Sequence, residues 1–164
     1  MRKETAILSQ HVDWLVRQAE EFGTHVVNAL RKTSNPQQGG QANNKPNNRK
    51  DPAGEFGKSQ IENLLAAMNH ITSLEELKLF VRYQIGRDDK RNGWARVGDR
   101  FLAILDEIQR RGEHDVSEPR SRQQLQHEMV ERFLLYWKWQ HTYLVHRIPE
   151  GTHPSPAQQR RNAR

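Results

Sequence analysis

The chain has 164 residues, of which 34% are hydrophobic, and its mean hydropathy of −0.99 is low for a fully packed globule of this length. That length allows one ordinary domain or a small domain with an extra helical arm, and the low hydropathy predicts that part of the chain stays disordered. The formal charge of +6 favours a polyanionic partner, and the absence of Cys removes disulfides, thiol nucleophiles, cysteine zinc sites and iron–sulfur clusters.

Residues 1–32 carry Leu8, Val12, Leu15, Ala19, Phe22, Val26 and Leu30 at spacings of three and four, which predicts a long helix buried along one seam. Residues 33–57 turn abruptly to Asn, Gln, Gly and Pro and read as a flexible linker. A bundle domain is expected over 58–147. Ser59-Gln60-Ile61-Glu62 reads as a capping box opening its first helix, and Ser73-Leu74-Glu75-Glu76 as a second box opening the next, which Gly86 would end in the left-handed conformation. A third helix shows Trp94, Val97, Phe101, Ile104, Leu105 and Ile108 on one side and is expected to stop at Gly112. Pro119 then sits where a first-turn proline is tolerated, and the last helix should run from about 120 to 146. Residues 148–164 read as a disordered basic tail ending in Arg160, Arg161 and Arg164. The fold class is all-α: a small helical bundle with a tethered amino-terminal helix and no convincing strand.

Nothing in this pattern calls for an enzyme. His127-Glu128-Met129-Val130-Glu131 has Glu131 where a zinc-protease helix needs its second His, and His141 and His146 are five apart on different faces. No nucleophile elbow, Ser-Lys pair or phosphate-cradling loop is present, and Asp88-Asp89 lies in a polar loop without apolar cover. No metal and no cofactor are expected. No apolar run is long enough to span a bilayer, and Ala6-Ile7-Leu8 after Arg2-Lys3 is too short for a signal peptide, so the expected location is cytoplasmic, without a membrane partner.

The basic residues are more informative. Lys78, Arg82, Arg87, Lys90, Arg91, Arg96 and Arg100 fall within one short stretch, which holds most of the chain's net charge. Lys78 and Arg82 are four apart on one helix and Arg96 and Arg100 four apart on the next, so a connecting loop bearing Arg87, Lys90 and Arg91 would join them into one strip. Such a strip fits contact with a phosphate backbone; a solvated face pairing with Glu75, Asp99 or Glu107 is the other reading. The last helix holds more apolar surface than one bundle helix can bury. Phe133, Trp137 and Leu144 fit a core seam, whereas Leu135, Trp139 and Tyr143, together with Leu79 and Tyr83 on the earlier helix, are expected at a protein–protein interface, because the rings are interleaved with Leu and Val; a platform on which the bases of a single strand stack is the other reading.

The order of three motifs resembles a known family, the Csm-type small helical subunit of type III CRISPR effector complexes. They are Ser59-Gln60-Ile61 at a helix start, Tyr83-Gln84-Ile85-Gly86-Arg87 at the end of the next helix, and Glu131-Arg132-Phe133-Leu134-Leu135-Tyr136-Trp137-Lys138, with Trp137 where the family's pattern has His. The match covers about residues 58 to 146 and leaves the amino-terminal helix as an added arm. The resemblance implies a non-catalytic RNA-binding structural subunit in antiviral defence, stacked as several copies along guide and target RNA. Its other partners would be copies of itself and the large and backbone subunits of the complex. On that reading Arg87 is the first candidate for RNA contact, followed by Lys78, Arg82, Arg96 and Arg100, then Lys90, Arg91 and Lys138. The related Cmr-type subunit, a helix-turn-helix DNA-binding regulator formed by residues 59–85 and a helical protein adaptor are the alternatives.

Overall fold

The computed structural model describes residues 2–31 and 51–147, and the chain forms five helices there: α1 (Arg2–Arg31), α2 (Pro52–Met68), α3 (Leu74–Arg87), α4 (Trp94–Asp115) and α5 (Pro119–His146). No strand occurs among the described residues. The fold is all-α. The predicted tail and residues 33–50 of the predicted linker lie outside the described residues.

α1 belongs to the core. Its seam buries Leu8, His11, Leu15, Ala19, Phe22, Val26 and Leu30, with His11 taking the inward place expected of Val12. Phe22 sits among the rings of Phe101, Phe133 and Trp137 at centroid separations of 5.5, 5.9 and 4.8 Å. One apolar cluster therefore joins the first helix to the region expected to fold as a bundle over 58–147. The directions of the helices follow from their pairings. Glu21, Trp14 and His11 of α1 meet Arg100, Arg111 and Asp115 of α4 in reverse order, so these two helices are antiparallel. Gly23 lies against Gln140, while His11 lies near the turn that starts α5, so α1 and α5 run parallel. Close approach explains that glycine: a Cβ on Gly23 would fall 2.9 Å from Cγ of Gln140.

α2 begins at Pro52, so residues 52–57 of the predicted linker are helical, and Ser59 lies inside the helix instead of capping it. Asp51 is the cap, its side chain accepting from the Ala53 N–H at 3.2 Å. Gly57 is buried beneath the His141 ring, which would lie 2.2 Å from an added Cβ, and His141 donates from Nε2 to the Gly54 carbonyl at 3.0 Å. Gly57, one of the glycines that made this stretch look like linker, is thus what lets α5 approach α2.

Ser73 caps α3 as its sequence suggests, accepting from the Glu76 N–H at 3.2 Å, but the Glu76 carboxylate reaches back to Thr72 N–H at 2.9 Å, one residue earlier than expected. α3 does not end at Gly86. No described glycine has a positive φ, and the helix continues to Arg87. Space around a Cβ at Gly86 is open, so Gly86→Ala is expected to stabilise the isolated protein by about 0.5 to 1 kcal/mol through helix propensity alone. A melting temperature unchanged or lowered in the variant would contradict the helical placement. α4 likewise passes Gly112 and ends at Asp115, because Gly112 is a packing position against the Gln126 side chain. Pro119 opens α5 as expected, with Glu118 accepting from Arg120 N–H at 2.9 Å.

Candidate nucleic-acid interface

α3 ends and α4 begins at the same end of the bundle, and the turn between them is built around Asp88. Its carboxylate accepts from the N–H groups of Gly93 and Ala95, both at 2.9 Å, and of Asn92 at 3.3 Å. Partial burial pulls its pKa up, but those three donors and Arg91 outweigh it and hold the carboxyl below its ordinary range. The stabilisation is therefore complete above the ordinary carboxylate pKa near 4 and is lost as pH falls through the depressed value. Asp88→Asn should lower stability at neutral pH by about 1 kcal/mol and remove this part of the acid-side loss, read from melting temperatures between neutral and acidic pH. Equal losses on acidification in both proteins would count against the assignment. Within the turn Arg91 takes a positive φ of 51°, and its carbonyl accepts from Arg96 Nε at 2.5 Å. The turn that these bonds hold carries Arg87, Lys90 and Arg91.

The predicted RNA-contact residues do not all meet there. Arg82, Arg87, Lys90, Arg91 and Arg96 are exposed, and none of them makes an ion pair among the described residues. Arg87 lies over the Tyr83 ring, 5.3 Å from its centroid. Lys78 does not join them. It is only 4% exposed, its ammonium 2.7 Å from Asp106 and 3.2 Å from Glu75, with Gln109 as a further partner. Burial works against its charge, yet Asp106 and Glu75 raise its pKa above the ordinary lysine value. Lys78 is a tie between α3 and α4, and its assignment as an RNA contact is corrected on that ground.

Arg100 is also displaced from the expected strip. It faces α1, 3.7 Å from Glu21, whereas Lys78 reaches the flank of α4 that carries Asp106 and Gln109. The two pairs four residues apart therefore lie on opposite flanks of α4 and form no continuous strip through the turn. His25 on α1 registers the charge on this flank: burial and the Arg100 charge push its pKa down. Lys138 stands apart again, lining a cavity of about 250 Å³ between α2 and α5 with Lys58, Ile61, Val145 and His146.

The opposite end of the bundle mixes both signs of charge. Glu107, Glu113, Asp115 and Glu118 alternate with Arg110, Arg111, Arg120 and Arg122 at the end of α4 and the turn to α5, and Arg110 and Arg111 are both tied to Glu107. Asp115 lies between His114 and His11, 2.8 and 2.5 Å away, and these contacts hold its carboxyl below the ordinary range.

No known family, curated protein or solved structure matches the chain. The site is therefore read from its residues alone.

Among the predicted interface residues, Leu79, Tyr83, Trp139 and Tyr143 are the exposed large apolar side chains, and Leu135 is half-buried. They form two patches on separate helices, one on α3 and one on α5. Sequence reasoning missed Asp88 as the organiser of the basic corner. The signal was there in an Asp placed ahead of Asn92-Gly93 and a helical run, the usual chemistry of a turn into a helix start. Among the described residues no group of three or more His, Asp or Glu side chains is arranged to hold a metal ion, and no helix is long and apolar enough to cross a membrane.

Proposed function

We propose that this protein is a non-catalytic structural subunit that binds the phosphate backbone of RNA, of the kind found as the small subunit of type III CRISPR effector complexes. The observation that carries the reading is the turn between α3 and α4, where Arg87, Lys90 and Arg91 are exposed and make no ion pair among the described residues, with Arg82 and Arg96 exposed on the adjoining helices. Exposed guanidinium and ammonium groups around a turn held by Asp88 neutralise phosphates without reading bases, as a subunit lying along a guide–target duplex requires. Leu79 and Tyr83 beside the basic corner are the candidate apolar contacts between copies of this chain or with the large and backbone subunits.

The helix-turn-helix alternative fares poorly on the same geometry. The α2–α3 corner presents Glu75 and Glu76 in the first turn of the would-be recognition helix, where a DNA backbone would repel them. The test is RNA affinity in a protein carrying Arg82→Glu, Arg87→Glu and Lys90→Glu together. Loss of duplex RNA binding with a single cooperative melting transition retained is expected; undiminished affinity overturns the proposal.

A further inference from the structure

The second apolar patch has a composition that suits a different ligand surface. Arg132, Tyr136, Trp139, Tyr143 and Arg147 recur along α5 at spacings of four, three, four and four, so they line one face about 22 Å long. Trp139 and Tyr143 are 60% and 57% exposed, and the half-buried Tyr136 ring braces Trp139 at a centroid distance of 5.6 Å and a tilt of 51°. Most aliphatic neighbours are turned elsewhere: Leu134 is buried, Leu144 is half-buried and Val145 lines the cavity against α2, which leaves the half-buried Leu135 beside Trp139. The charged residues around the rings are basic, and from Arg132 to Arg147 the sequence contains no Asp or Glu.

We infer that this face is a stacking platform for a single-stranded segment of nucleic acid. Exposed rings between positive ends meet both demands of an unpaired strand, a π-surface for its bases and cations for its phosphates. A second copy is the poorer occupant, because two such faces packed antiparallel would set Arg132 against Arg147. Paired bases are hidden inside a duplex, so the platform is distinct from the corner that contacts duplex backbone. The inference rests on the RNA reading only for the class of ligand.

The experiment uses the full chain, a fluorescent single-stranded oligoadenylate and a blunt RNA duplex, with Trp139→Ala and Tyr143→Ala combined. Each ring is expected to contribute about tenfold, so the double variant should bind the single strand roughly a hundredfold more weakly and the duplex as before. Its salt dependence should match that of the unaltered protein, since every phosphate-facing cation is still in place. Trp139→Phe should recover most of the loss, which separates stacking from a change in folding. Single-strand affinity retained in the double variant overturns the inference. So does a change of oligomeric state in sedimentation with oligoadenylate binding intact, which would make the face a protein interface. The basic-corner variant acts in the other direction, on duplex binding, so failure of the backbone reading and failure of the platform give different results.

Discussion

Replacing Phe22 with alanine should lower the stability of the whole protein by about 3 to 5 kcal/mol, although the residue lies in the helix farthest in sequence from α5. Phe22 is fully buried and touches Phe101 of α4 and both Phe133 and Trp137 of α5. Truncation removes the ring's transfer free energy and leaves a cavity between three helices that have little freedom to close it. For a domain of this size the melting temperature should fall by roughly 6 to 20 °C. A single cooperative transition, shifted as a whole, is the signature of one core. An unchanged main transition would mean that α1 is an independently docked arm.

Reversing Arg82, Arg87 and Lys90 together has the largest effect expected on function. A hydrogen bond to a charged group is worth about 1.5 kcal/mol or more, so three reversals should weaken duplex RNA binding on the order of a thousandfold at low salt. The three side chains are exposed and make no ion pair among the described residues, so the fold should be kept, with a small loss of stability from Arg87, which leaves the Tyr83 ring and the last turn of α3. The loss should be the same for duplexes of any sequence, because phosphate contacts carry no base information. Lys78→Met is the matching control. Removing the tie to Asp106 should lower stability while leaving RNA affinity as it was.

How much of this was legible in the sequence depended on how far apart the deciding residues lie. The apolar stripe of α4 and the Ser73 cap are local patterns, and both stand as read. The exposure of Leu79, Tyr83, Trp139 and Tyr143 also followed from helical spacing alone. The start of α2 did not, because Gly54 and Gly57 look like linker until the His141 ring is seen resting on Gly57. The fate of Lys78 was hidden for the same reason. Its partners Asp106 and Gln109 come from another helix, and no charge count along α3 separates a buried lysine from a solvated one. Likewise the seam of α1 announces a buried face without saying what covers it. The strip failed at a subtler step: four-residue spacing fixes the face of each helix, but the packing of α1 and α3 on opposite flanks of α4 decides whether two faces meet.

The most direct measurement of the central claim is the affinity for duplex RNA over a range of salt concentrations, in the unaltered protein and in the Arg82→Glu, Arg87→Glu, Lys90→Glu variant. The logarithm of the affinity is expected to fall linearly with the logarithm of salt concentration. The variant's slope should be shallower by about 0.9 for each phosphate that it no longer neutralises, or roughly 2 to 3 in all. Equal slopes and equal affinities in the two proteins would contradict backbone binding by the α3–α4 corner.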